Sequence, residues 1–170
     1  MSASRITRLA DTLQIVVCIT VITIAVSAYR RTGGGGDGEP PKLKSGTALG
    51  ALPDISYARR PLTLILFERS GCQYCTHSMP FYESLSSTLD RSRVQFVAAS
   101  VEMKDVSEQY LHSHSVIPDF VVQLPSTRSY PIHGTPTLVL VDNAGKVRDS
   151  WVGVLDADGE HEVKDAILSR

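Results

Sequence analysis

Leu62-Thr63-Leu64-Ile65-Leu66-Phe67-Glu68-Arg69-Ser70-Gly71-Cys72-Gln73-Tyr74-Cys75 is the stretch on which the reading of the chain turns. Leu62 to Phe67 form a short, nearly continuous apolar run, the pattern of a strand buried on both faces. Ser70-Gly71 breaks the run. From about Gln73 to Leu89, Met79, Tyr82, Leu85 and Leu89 recur at spacings of three and four, which predicts a helix, kinked by Pro80 inside it. A Cys-x-x-Cys pair therefore falls at the junction of a strand and a helix. At that place Cys72 meets the unpaired N–H groups and the positive end of the helix dipole, which favour a thiolate. Such settings lower cysteine pKa values from about 8.5 into a range of roughly 3.5 to 7.5. Cys75 follows within one turn, close enough to attack a mixed disulfide on Cys72. Cys72 is thus the expected nucleophile and Cys75 the resolving thiol, and Tyr74 between them sits where a substrate would dock.

The spacing alone leaves other chemistries open. The chain has 3 cysteines, and Cys18 lies in an apolar N-terminal run where it reads as a small apolar residue. Cys72 and Cys75 cannot build a multi-bridge disulfide scaffold, and they are half of a four-cysteine zinc site. Covalent haem attachment needs histidine directly after the second cysteine; Thr76 stands there and His77 follows. His112 and His114 point to different faces of a helix, so they do not complete a metal site with the pair. A peroxidase would place a threonine three residues before the cysteine, where Arg69 stands. No metal and no bound cofactor is expected.

Towards the C-terminus, Val94 to Val101 reads as a second strand and Asp105 to about His112 as a short helix with Val106, Tyr110 and Leu111 on its apolar side. Thr137 to Val141 and Lys146 to Val152 are two strands separated by Asp142-Asn143-Ala144-Gly145, the composition of a tight hairpin turn. Trp151 on the last strand reads as core or edge packing. A closing helix is expected from about Gly159 to Leu168, with Val163, Ala166 and Ile167 buried. These elements predict an α/β domain whose mixed sheet is parallel in its first part and an antiparallel hairpin in its last, with helices on both faces.

Towards the N-terminus, Leu13 to Tyr29 read LQIVVCITVITIAVSAY without a formal charge, between Arg5 and Arg8 on one side and Arg30 and Arg31 on the other. Since about 17 apolar residues is the lower limit for crossing a bilayer, a membrane-spanning anchor is the expectation. A cleavable signal peptide is the alternative, with small residues at Val26-Ser27-Ala28. The stretch from Gly33 to about Pro53, with Gly33 to Gly36 and Pro40-Pro41, reads as a flexible linker. The expected organisation is an anchor over residues 1–30, a linker over 31–54 and one globular domain over 55–170, as 170 residues leave room for a single core. A net charge of -1 excludes the electrostatic footprint of a nucleic-acid or acidic-surface binder. Arg30, Arg31, Lys42 and Lys44 after the span outnumber Arg5 and Arg8 before it, a count that favours a cytoplasmic domain.

A resemblance sharpens these readings. Gly134-Thr135-Pro136-Thr137-Leu138-Val139-Leu140-Val141-Asp142, followed by Gly145-Lys146-Val147 and Gly153, resembles the cis-proline loop and closing hairpin of the thioredoxin superfamily, and Pro80 matches that family's helix-kinking proline. The match spans about residues 60 to 168. The longer segment from Ser107 to Tyr130 resembles the insertion of the membrane-anchored TlpA- and ResA-like thiol:disulfide oxidoreductases. This resemblance implies a thioredoxin-like fold in which Pro136 is cis against the pair and Thr135 hydrogen-bonds the substrate backbone. It also implies exchange with protein thiols and disulfides as a reductant outside the cytoplasm, fed by an upstream electron donor. The family's tryptophan and Gly-Pro are absent, and Leu66 stands where thioredoxins carry a buried aspartate. Proton transfer from Cys75 then falls to water or to another group, for which Glu68 is the candidate. The alternative is a non-catalytic binding module in which the pair is a structural disulfide.

Overall fold

The computed structural model describes residues 42–169. The expected anchor, and the linker up to residue 41, lie outside them. Among the described residues no helix is long and apolar enough to cross a membrane.

A five-stranded sheet organises the domain. Its strands are β1 (Leu62–Phe67), β2 (Val94–Ser100), β3 (Phe120–Gln123), β4 (Thr137–Asp142) and β5 (Val147–Val152), in the spatial order β3-β2-β1-β4-β5. β1 pairs in parallel with β2, and β2 with β3, whereas β4 runs antiparallel to both β1 and β5. Every residue of β1 and β2 is buried, as the continuous apolar run of a central strand requires. Among the described residues three α-helices flank the sheet: α1 (Gln73–Thr88), α2 (Lys104–Ser113) and α3 (Ala157–Leu168). α1 continues through Pro80 as one helix.

Alternation along β1 divides the core. Leu62, Leu64 and Leu66 pack with Met79, Tyr82 and Leu85 of α1, Leu111 of α2, and Val163 and Ile167 of α3. Ile65 and Phe67 point the other way, towards Val97, Val139, Val141, Leu49, Leu52 and Tyr130. Helices were expected on both faces; all three instead serve one. The opposite face is covered by the chain leading into β1 and by the segment after β3.

That first covering segment corrects the expected linker. Leu49 and Leu52 are 2 % and 3 % exposed, inside the stretch read as a tether. The backbone around them is satisfied by the β5 edge: Gly46 N–H donates to Val147 O at 2.7 Å, Val147 N–H to Thr47 O at 2.8 Å, and Leu49 N–H to Gly145 O at 3.0 Å. Leu43 N–H adds a bond to Ser150 Oγ at 2.7 Å. Polar composition suggested a tether, but two leucines at the right spacing close an apolar face and residues 43–48 occupy an open strand edge. The folded unit therefore includes residues 43–54 and does not start at 55. Leu49→Ala and Leu52→Ala are each expected to cost about 2 to 5 kcal/mol in denaturant unfolding. Midpoints equal to that of the parent would refute the boundary.

The hairpin turn depends on one glycine. Gly145 has φ of +73°, and a Cβ there would come within 2.7 Å of the Tyr57 ring. Asp142 Oδ1 accepts from the N–H of Ala144 and of Lys146, both at 2.9 Å, which closes the turn.

β3 was not expected. It is four residues long and half-buried, with only Val122 and its flank Leu124 well inside the core. Its start is held by Asp119, whose Oδ2 accepts from Phe96 N–H at 2.8 Å and from Arg60 at 2.7 Å and lies 3.2 Å from Arg91. Pairing with β2, not local pattern, makes it a strand.

Candidate active site

Cys72 caps the N-terminus of α1. Its backbone is extended, and its Sγ accepts a hydrogen bond from Cys75 N–H at 3.3 Å, while Thr76 N–H donates to its carbonyl at 3.1 Å. Side-chain caps of this kind satisfy a helix N–H that has no intrahelical partner, so the local fold itself directs the sulfur at the positive end of the helix. Cys72 is 8 % exposed and Cys75 fully buried beneath it, both as free thiols.

The two thiols are driven apart in acidity. At Cys72 burial works against ionisation, but hydrogen bonds from the Cys75 side chain and from the N–H groups of Cys75 and Tyr74 outweigh it and lower the pKa. At Cys75 burial dominates, the hydrogen bond with Cys72 adds to it, and the pKa is pushed up to about 12. The pair is thus polarised: one sulfur is prepared as a thiolate and the other is held as a thiol.

Across from Cys72 stands the loop before β4. The Thr135–Pro136 peptide bond is cis. Thr135 presents its carbonyl 3.2 Å from Cys72 Sγ, where it accepts the proton of the thiol form. Pro136 is buried, with its carbonyl accepting from Gly153 N–H at 2.8 Å, and Thr137 Oγ1 donates to Gly134 O at 2.8 Å. A recess of about 440 Å³ opens beside Cys72, walled by Glu68, Tyr74, Val101, Ile132 and Thr135. Cys72, Glu68, Tyr74 and Thr135 therefore share one cavity, whereas Cys75 and Pro136 lie outside its lining. Tyr74 is 65 % exposed at its edge.

Leu66, where thioredoxins carry an acid, is wholly buried among apolar side chains. The carboxyl comes two residues later. Glu68 is 2 % exposed. Burial raises its pKa; a hydrogen bond from Ser107 lowers it, nearby Glu102 raises it, and the net result is about 7. Ser107 Oγ donates to Glu68 Oε1, and Oε2 has no hydrogen-bond partner among the described residues. Glu102 is occupied elsewhere, accepting from Ser70 N–H at 2.7 Å and Ser70 Oγ at 2.8 Å, which ties the loop before α1 to the loop after β2.

Ser107 and Glu102 were not singled out in the sequence. A serine between Val106 and Tyr110-Leu111 on the apolar side of α2 was the one available signal. His77 is exposed on α1, and His114 Nδ1 is spent on Tyr110 O at 2.9 Å, away from the pair. Among the described residues no three metal-ligating side chains gather.

Residues 51–165 match the family model described as a thioredoxin-like domain. Among solved structures the chain is similar to a protein assigned as the thiol:disulfide interchange protein DsbE from Chlorobium tepidum, at 26 % identity and a TM-score of 0.59, covering 74 % of this chain and 96 % of that one. It is also similar in fold to StoA from Bacillus subtilis, at 21 % identity and a TM-score of 0.53, over 75 % of this chain and 96 % of that one. A thiol-disulfide isomerase from Corynebacterium glutamicum shares the fold at 17 % identity and a TM-score of 0.55, covering 78 % and 99 %. No curated protein sequence matches the chain.

Proposed function

Because the chain belongs to the thioredoxin-like domain family, we propose that it is a membrane-tethered thiol:disulfide oxidoreductase that exchanges electrons with protein partners through Cys72 and Cys75. The observation that carries the reading is the polarity of the pair: an N-capping sulfur with a lowered pKa above a buried thiol at about 12. A structural staple has no use for that difference, so the binding-module alternative gains nothing from it.

In the reductive direction the Cys72 thiolate attacks a partner disulfide. A Cys72–partner S–S bond forms, the partner's own S–S bond breaks, and one partner sulfur leaves as a thiolate. Cys75 then loses its proton and attacks Cys72 Sγ. The Cys72–Cys75 bond forms, the mixed disulfide breaks, and the second partner sulfur leaves with the electron pair. Two electrons have passed from the pair to the partner, and an upstream dithiol must return them. Glu68, buried with a pKa near neutrality, takes the Cys75 proton in this scheme, as the acid that Leu66 does not supply. Thr135 and Pro136 hold the partner backbone, and Tyr74 offers an exposed ring to it. No bound cofactor enters any step.

The apolar run from Leu13 to Tyr29 supports the tether, and the resemblance to TlpA- and ResA-like proteins supports a reducing role outside the cytoplasm. Reduction of insulin disulfides with several dithiol donors tests the activity; equal inactivity of the wild type and of Cys72→Ser with every donor would overturn it. Because the charge count around the span argues for the opposite topology, a C-terminal alkaline phosphatase fusion is the decisive check on location. The fusion is expected to be active, and activity only from a cytoplasmic reporter would place the domain inside.

A further inference from the structure

Most buried or half-buried serines in the helices spend their hydroxyls locally. Ser78 Oγ donates to Tyr74 O at 3.0 Å and Ser86 Oγ to Glu83 O at 2.9 Å, the usual recourse of a helical serine. Ser107 does otherwise. It is buried on the face of α2 turned to the sheet, and its hydroxyl reaches across to Glu68 Oε1 at the end of β1. One turn further along α2, Tyr110 OH lies 3.0 Å from Thr76 Oγ1, the residue after Cys75. α2 is therefore pinned to both halves of the site. Tyr110 also stands close enough to Cys75, Glu68 and Cys72 to feel the charge of each.

We propose that Ser107 is a positioning residue for the resolution step: it holds Glu68 by one carboxyl oxygen and leaves the other, Oε2, free to receive the proton of Cys75. This rests on the reading of Glu68 as the proton acceptor. A carboxyl with donors on both oxygens would be held as the anion and would be a weaker acceptor for the proton. One with neither bonded would be free to turn away, and as a buried unpaired charge would stay protonated. A single donor on Oε1 avoids both outcomes.

The groups facing Glu68 are few enough for the consequence to be read. Glu102 opposes its ionisation from the loop after β2, Ser107 favours it from α2, Tyr110 of α2 lies near enough to feel its charge, and Cys72 lines the same recess. Arg69 and Glu68 share the recess with His133. Removing the Ser107 hydroxyl leaves burial and Glu102 unopposed, so Glu68 keeps its proton to higher pH.

The full chain reduced and mixed with dithiobis(nitrobenzoate) separates the steps. The first thionitrobenzoate released reports attack by Cys72, and the second reports attack by Cys75 on the mixed disulfide. In the wild type the second phase is expected to quicken as pH rises through a midpoint set by Glu68. Ser107→Ala, which introduces a better helix former and so keeps α2, is expected to move that midpoint up by about one pH unit and leave the first phase in place. Ser107→Thr, which retains the hydroxyl, is expected to bring the midpoint back. Glu68→Gln is expected to remove the limb. If Glu68→Gln removes it while Ser107→Ala leaves it at the wild-type midpoint, the role of Ser107 is overturned and that of Glu68 stands. If Glu68→Gln leaves the limb unmoved, the reading of Glu68 itself falls.

Discussion

Cys72→Ser is expected to abolish insulin reduction, a loss on the order of a thousandfold or more of the kind seen when a covalent nucleophile is removed. The size follows from the chemistry of the position. The thiolate is the attacking species, and against the opposition of burial its population is raised by the hydrogen bonds that reach Cys72: the Cys75 N–H at 3.3 Å, the Tyr74 N–H and the Cys75 thiol. Serine in the same place caps the helix equally well, so the fold is retained, but its hydroxyl carries almost no anion at neutral pH. The capping role and the chemical role therefore separate in this one substitution. The thiolate is independently visible as alkylation of the wild type by iodoacetamide. Its rate at Cys72 is expected to rise with pH through a midpoint below the ordinary cysteine value, while Cys75, at about 12 and fully buried, stays unmodified. Activity remaining in Cys72→Ser, with that alkylation pattern reversed, would assign the nucleophile to Cys75.

The complementary variant, Cys75→Ser, is expected to attack and then stall. Its Cys72 still forms a mixed disulfide with the partner, but no second sulfur lies one helical turn away to resolve it. Well-oriented intramolecular groups reach effective molarities of about 10⁵ M and above, whereas an external thiol is present at millimolar levels, so the lifetime of the mixed disulfide is expected to grow at least about a thousandfold. Non-reducing electrophoresis of cells expressing Cys75→Ser should show covalent adducts that disappear with reductant, and mass spectrometry of the adducts names the partner. Recovery of no disulfide-linked protein would count against protein disulfides as substrates. The high pKa of Cys75 belongs to the same picture: a thiol at about 12 reacts slowly at neutral pH unless a base takes its proton, which is the part given to Glu68.

The residues that carried these readings were unequally legible. β1, α1, the β4–β5 hairpin and α3 lie close to where apolar periodicity and Asp142-Asn143-Ala144-Gly145 put them, because those signals are local and strong. The lowered pKa of Cys72 was legible for the same reason, since a cysteine after a strand and before a helix becomes an N-cap. β3 was hidden because Phe120 to Gln123 is short and becomes a strand only by hydrogen bonding to β2. Leu49 and Leu52 were hidden by their polar and glycine-bearing neighbours; their burial depends on an apolar sheet face that no α-helix among the described residues covers.

By itself, then, the sequence determined the order of the elements other than β3 and the position of Cys72 and Cys75 at the start of α1, since each rests on residues adjacent in the chain, while the facing loop at Thr135-Pro136 was implied by resemblance. Only the tertiary structure decided that all three helices share one face, that residues 43–54 belong to the folded unit, and that Glu68 is buried with a pKa near 7. Those outcomes depend on groups brought from far along the chain. Ser107, from a helix beyond the next strand, meets Glu68 only when α2 packs on the sheet. The acidity of a buried carboxyl is set by its solvent exclusion and its few neighbours, and neither exists before the chain has folded.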